Sequence, residues 1–165
     1  MDYGNFDNRL GAAARASIGG VEHGQNPQFV RIGEDRFIDA IILLSKGVNQ
    51  IENKRILHEA QLFLASTVVK ERLQENAAYS LRLGSEITRR SLGRLPFVTK
   101  KGHLALSSYH VQRGDVIALI KGAQVPFVLR CQKSGKYRII SEAYVDGIMD
   151  GEAVRNGEYS SFEIV

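Results

Sequence analysis

The run GDVIALIKGAQVPFVLRCQKSGKYRIISEAYVDGIMDGEAV, residues 114–154, decides the fold. Residues 115–120 run continuously apolar from Val116 onward, behind Arg113-Gly114-Asp115, rich in branched side chains and too short for an independent helix. That pattern predicts a strand buried on both faces. Lys121-Gly122-Ala123-Gln124 then turns the chain into residues 125–131, where Val125, Phe127 and Leu129 share one face. Pro126 lacks a donor and so belongs at a strand start or on an edge. Lys133-Ser134-Gly135-Lys136 makes the next turn. Beyond it Tyr137, Ile139, Ser141, Ala143 and Val145 alternate with Arg138, Ile140, Glu142 and Tyr144, the period of a strand. Upstream, residues 97–99 and 103–107 flank Lys100-Lys101-Gly102 as a hairpin with glycine at the left-handed position. Short turns between such strands predict an antiparallel meander, and curling into a partly closed barrel protects its edges.

The texture changes towards the N-terminus. Residues 31–90 form a helical segment. Phe37, Ile38, Ile41, Ile42 and Ser45 sit on neighbouring turns, Glu34 and Asp35 lie where a helix dipole favours acids, and Gly47 is a stop. A longer helix follows, with Ile56, Leu57, Ala60, Phe63, Leu64, Val68 and Leu73 on one stripe. Its end falls between Gln74 and Arg82. Both stripes need a covering surface, either the strands of the same chain or a second copy. Residues 1–30, rich in Gly, Ala and Asn and without a period of 2 or 3.6, read as a flexible leader. The domain reading is therefore leader 1–30, helical segment 31–90 and antiparallel barrel-like unit 91–165.

At 165 residues with 44% hydrophobic content the chain can build a real core. Its 22 basic and 18 acidic residues are interspersed, giving a net charge of +4 that describes a mixed solvated surface better than a nucleic-acid footprint. One cysteine, Cys131, excludes an intramolecular disulfide and a multi-cysteine zinc site, and points to a reducing compartment. The first twenty residues have no apolar signal core, and no apolar stretch approaches a membrane span. A cytoplasmic chain that needs no cofactor is expected.

The joint occurrence of several elements in residues 96–154 resembles the C-terminal domain of fungal heterokaryon-incompatibility (HET-type) proteins. These elements are Gly114-Asp115, the turn at Gly122, Pro126-Phe127-Val128-Leu129-Arg130, Tyr137-Arg138, Glu142-Ala143-Tyr144-Val145 and Gly147-Ile148-Met149-Asp150-Gly151-Glu152. Phe97-Val98-Thr99 and Gly102 match the family's entry into this block, whereas Ala105-Leu106-Ser107-Ser108 stands where members often carry a Gly-Leu-Gly-Pro-like run. No HET motif precedes the block here. The resemblance implies a non-enzymatic interaction or regulatory module with a role in non-self recognition, and it does not carry the HET domain's own activity.

Several constellations contain residue types that carry chemistry. Asp146, Asp150 and Glu152 offer hard oxygen ligands, but not with calcium-loop spacing, and Asp150-Gly151 is a turn signal; no metal is expected. Ser107, Ser108, His110 and Asp115 contain the residue types of a hydrolytic triad crowded on one short segment, whereas triad members come from separate elements. Cys131 with His103 or His110 lacks a thiol-enzyme signature. Arg130 and Glu142, on adjacent strands, are candidates for a cross-strand pair closing one barrel face, or for anion recognition by Arg130. With Tyr144, Asp146, Asp150 and Glu152 they make the candidate ligand or partner site, and an enzyme pocket at a barrel mouth is the rival reading. The basic stretch 82–101 supplies Arg89, Arg90, Arg94, Lys100 and Lys101 as nucleic-acid candidates, though no stacking platform accompanies them. The expected partner is a protein, including a second copy through helices 34–82.

Overall fold

A computed structural model describes residues 3–23, 29–31, 35–75, 81–149 and 159–165. The fold is α+β, and the chain divides into a helical unit up to Arg90 and a strand unit from Ser91.

In the helical unit, α1 (Phe6–Ser17) is followed by a two-stranded ribbon, β1 (Val21–His23) against β2 (Phe29–Arg31). Then come α2 (Asp35–Gly47), a single 3-10 turn (Val48–Gln50), α3 (Lys54–Ala65), α4 (Thr67–Glu75) and α5 (Leu81–Arg90). Asp39, Ala40, Ile41 and Ile42 are four consecutive buried residues, so α2 is enclosed on more than the predicted stripe. What encloses it includes α1 and α5: Ala14 and Ile18 pack with Ala40 and Leu83, with Leu10, Leu43 and Ile87 against them.

The stretch predicted to be a flexible leader thus holds a docked helix over Phe6–Ser17. Asn5 caps it, its side chain accepting from Asn8 N at 2.9 Å. Ala12, Ala14 and Ala16 are buried, and alanine is both the best helix former and the residue that lets two helix backbones approach. The composition was misleading because small apolar residues make no visible hydrophobic stripe.

The helix predicted over residues 56–73 is broken at Ser66, whose ψ of 144° is extended. The break rephases the apolar face: Val69 is buried and Val68 is exposed, the reverse of an unbroken stripe. Asn53 caps α3 by accepting from the amides of Arg55 and Ile56. Glu59 accepts from Arg9 at 2.6 Å and from Arg55 at 3.2 Å, tying α3 to α1, and Phe6 meets Phe63 with ring centroids 5.1 Å apart.

In the strand unit, β3 (Arg94–Val98), β4 (Leu104–Ser108), β5 (Val116–Ala118), β6 (Phe127–Cys131) and β7 (Tyr137–Val145) form one antiparallel sheet in the order β3-β4-β7-β6-β5. The last three strands are the expected meander, and the β3–β4 hairpin joins it through β7. The sheet is not closed, since β3 and β5 are its edges. It curls nonetheless: Phe97 from one edge and Ile117 from the other pack on the same cluster of Ala105, Val128, Ala143 and Val145. Small residues at 105 and 143 make that curvature possible.

The strand predicted to be buried on both faces, residues 115–120, is instead the three-residue edge strand β5, with Val116 exposed. Burial on both faces belongs to β4 and the end of β7, where Ala105, Leu106 and Ser107 and then Ala143, Tyr144 and Val145 are all buried. Apolarity marked β5 correctly as strand, but position in the sheet, which pattern does not encode, sets how much is covered. Leu129 also changes environment through a bulge at Val128/Leu129, where the register against β7 shifts by one residue.

The docking of α1 is testable. Ile18→Ala should cost about 2–5 kcal/mol in denaturant unfolding, as for other buried large-to-small changes; a leader that does not pack would leave the midpoint unmoved.

Candidate functional site

Strand order forces one connection to do unusual work. The chain leaves β4 at Ser108 and must pass β7 and β6 before entering β5 at Val116. Three strand spacings are roughly 14 Å, well within the reach of the intervening segment, so the crossing can be short but must be held in shape. Two turns shape it: Val111 N donates to Ser108 O and Asp115 N to Gln112 O, both at 3.1 Å. Gly114 sits within the second of them at φ 100°, a conformation that favours glycine. Val111 packs on the strand core.

Arg130 of β6 fastens this crossover. Its Nε donates to Asp115 Oδ1 at 2.8 Å and its Nη2 to Asp115 Oδ2 at 2.9 Å, a two-pronged pair matching guanidinium to carboxylate. Nη2 also donates to His110 O at 2.8 Å. Asp115 Oδ2 accepts from Gln112 N at 2.8 Å as well, and its side chain is only 4% exposed. The hydrogen bonds from Arg130 hold the Asp115 carboxyl below its ordinary value, against the opposing effect of burial, and the same pairing raises the Arg130 guanidinium further.

Glu142 is not the partner of Arg130. In the register Arg130 lies opposite Arg138, and Glu142 opposite Phe127, with the Glu142 side chain exposed. The expected cross-strand pair does not form because the turn between β6 and β7 fixes which residues face each other, and the bulge shifts the count again.

Tyr144 and Asp146 form a second polar group. The Tyr144 hydroxyl donates to Asp146 Oδ1 at 2.7 Å, and Asp146 is buried. His103 Nδ1 lies 2.8 Å from Asp146 O; a carbonyl only accepts, so this nitrogen carries the hydrogen. Asp146 N donates to Leu104 O at 2.9 Å. These bonds anchor the end of β7 to the β3–β4 turn. Arg138, opposite Arg130, and Tyr144 are six residues apart on β7, roughly 20 Å of strand, so Arg130 and the Tyr144–Asp146 pair stand at opposite ends of the sheet. The single mouth joining Arg130, Glu142 and Tyr144 is therefore not assembled.

The remaining candidates resolve in the same way. Ser107 Oγ is within 2.7 Å of both Ser141 Oγ and Glu142 O, Ser108 Oγ accepts from His110 N at 3.2 Å, and Asp115 is engaged by Arg130. The triad types are close in sequence without converging. Cys131 is exposed at the end of β6. Among the described residues no three His, Cys, Asp or Glu side chains are grouped to hold a metal ion, and Glu34, Asp150 and Glu152 lie outside those residues. Of the basic candidates, Arg89 and Arg90 both donate to Glu86, at 2.5 and 3.0 Å, and belong to the helical unit. Arg94, Lys100 and Lys101 belong to the strand unit. No helix of the described residues is long and apolar enough to cross a membrane.

Large apolar side chains are exposed on and beside the β3–β4 hairpin: Leu92 is 82% exposed, Val98 67%, and Leu95 and Tyr109 nearly as open. Tyr109 stacks on His110, with ring centroids 4.1 Å apart, at the start of the crossover that Arg130 fastens.

A family model described as the Het-6 beta-barrel domain matches residues 53–165, from the cap of α3 through the strand unit. Heterokaryon incompatibility protein 6, OR allele, of Neurospora crassa is 34% identical over 76 residues, which is 44% of this chain and 11% of that protein. The chain thus spans about a tenth of the length of the curated relative it matches. No solved structure matches.

Two measurements probe the site. Asp115 has a lowered folded value, so its ion pair contributes stability above the ordinary aspartate value of 3.8 and loses that contribution as pH falls through the lower folded value. Asp115→Asn should accordingly be less stable than the wild type at neutral pH, with the gap between them narrowing as pH drops below about 4, followed by circular dichroism. A gap independent of pH would mean the carboxylate charge is immaterial. Tyr144→Phe removes a buried hydrogen bond and should cost about 1–3 kcal/mol, read from urea unfolding.

Proposed function

Because this chain belongs to the Het-6 beta-barrel domain family, we propose that it is a non-enzymatic interaction module of a heterokaryon-incompatibility response, contributing to non-self recognition by binding a protein partner. The observation that carries this reading is the set of exposed apolar side chains on and beside the β3–β4 hairpin, Leu92, Leu95, Val98 and Tyr109. Exposed apolar side chains gathered at one edge of a small sheet offer a partner apolar surface to cover. The named polar candidates support it from the other side, since Arg130, Asp115, Tyr144 and Asp146 are engaged with one another or with backbone.

The partner contact is read as apolar in drive and oriented by the rigid crossover behind Tyr109. A second copy meeting through the helical unit is the companion form of this proposal, with Leu62 and Val68 as its exposed apolar residues. An enzyme reading would require a titratable pair converging on a cleft, and a nucleic-acid reading a basic face with stacking aromatics; neither has an observation in its favour that matches the hairpin surface.

The test introduces Leu92→Asp and Val98→Asp together into this chain, expressed in a fungal host that shows a heterokaryon-incompatibility response. The incompatibility response should fall while the melting temperature of the purified chain stays within a degree or two, as is usual for exposed positions (about 0.5 kcal/mol or less). An unaltered response with intact folding would sink the hairpin as the docking face. Light scattering on the purified chain and on Leu62→Asp/Val68→Asp addresses the second-copy form: mass that falls to a monomer in the variant supports it, and a monomeric wild type ends it.

A further inference from the structure

The five-stranded sheet has three stretches of backbone edge, and they are treated differently. On β3, Tyr109 N donates to Gly93 O and Thr99 N to His103 O, which sets the parity of the ladder: odd residues bond β4, and Arg94, Pro96 and Val98 turn their backbones outward. Arg94 N is already taken by Ser91 O at 3.0 Å, and Pro96 has no N–H to offer at the centre of that edge. On β5 the edge is only three residues long. Both are poor templates for another strand.

The third edge is different. β7 is nine residues long, and β4 pairs with only Ala143, Tyr144 and Val145 on one side of it. The beginning of β7 on that side is occupied by the segment Phe162–Val165 of the same chain. Tyr137 N donates to Glu163 O and Val165 N donates to Tyr137 O, both at 2.8 Å, which makes Tyr137 and Ile164 a parallel bridge. Phe162 meets Tyr137 edge-on, with centroids 5.6 Å apart, and Glu163 reaches Lys136 Nζ at 2.9 Å. The occupant nevertheless leaves its surface in solvent: Phe162, Ile164 and Val165 are all among the exposed large apolar residues. Backbone bonding, one ring contact and an exposed ion pair hold it, which is the contact set of a strand-addition ligand and not of a core strand.

We infer that the start of β7, Lys136 to Ile139, is a strand-addition site that the chain fills in cis, and that the partner it accepts is an extended peptide running parallel to β7 with an aromatic, an acidic and a branched aliphatic residue in succession. The aromatic meets Tyr137 edge-on, the acid pairs with Lys136, and the aliphatic residue sits opposite Tyr137 in the ladder. The cis segment lowers the fraction of molecules able to take such a peptide, and so acts as a built-in competitor. This surface is separate from the β3–β4 hairpin and does not depend on what docks there.

The experiment uses a fluorescein-labelled peptide with the sequence of residues 159–165, YSSFEIV, titrated against the full chain and against Val165→Pro, with anisotropy as the readout. Val165→Pro deletes the donor to Tyr137 O while leaving β7 itself unchanged. The variant should bind the peptide about tenfold or more tightly than the wild type, because the competent fraction rises. A peptide carrying Glu163→Lys should bind it more weakly, and Lys136→Glu introduced alongside Val165→Pro should restore that peptide. If Val165→Pro does not fold as judged by circular dichroism, the full chain with Glu163→Lys, altered only at an exposed ion pair, replaces it. Equal binding to wild type and variant, no binding to a folded variant, or loss without rescue by the charge exchange would each overturn the site.

Discussion

The ion pair between Arg130 and Asp115 is the contact on which the arrangement of the strand unit turns. It joins β6 to the residue that leads into β5, and through His110 O it also grips the beginning of the same crossover. A chain that places β7 between β4 and β6 must carry the connection across the end of the sheet, where backbone groups lose ladder partners. Gln112 N, Asp115 N and His110 O each find a partner within the crossover or on Arg130. A lysine in place of Arg130 would offer a point charge with no fork, and could not hold two carboxylate oxygens and a carbonyl in one plane.

The helical unit solves a different problem with similar economy. Its central helix, α2, buries four consecutive residues, Asp39 to Ile42, so it needs cover on more than one side. The alanine-rich α1 covers one side because alanines permit close approach, and α5 brings Leu83 and Ile87 to another. The helix that composition disguised is therefore the one that removes the apolar surface the periodic helices left unexplained. Glu59, held ionised by Arg9 first and Arg55 second, connects this α1 to α3 at the surface.

Open sheets need protection for their edges, and this one uses several devices at once. Proline stands in the outward-facing backbone of β3, β5 is short, and the long β7 is covered by β4 over one part and by residues 163–165 over another. The polar cluster of Tyr144, Asp146 and His103 fixes the opposite end, so that β7 is pinned at both extremities and is the strand around which the unit is organised.

Strand and helix identity were legible in the sequence wherever one local rule dominated. Period-2 alternation gave β7, the Lys100-Lys101-Gly102 turn gave the β3–β4 hairpin, and spaced apolar residues with Gly47 gave α2, because side-chain direction and turn conformation are set by neighbours a few residues away. The heterokaryon-incompatibility resemblance rested on the same local strings. Other features required the folded chain: the seating of β7 beside β4, the bulge that carries Leu129 out of step, and the exchange of Val68 for Val69 beyond Ser66. Arg130 choosing Asp115 over Glu142 belongs with them, as does the return of Ile164 to Tyr137. Apart from the break at Ser66, each of these is a contact between residues of different elements, chosen by which backbone groups and charges remain unsatisfied once the local elements exist, and that choice is made only when the elements meet.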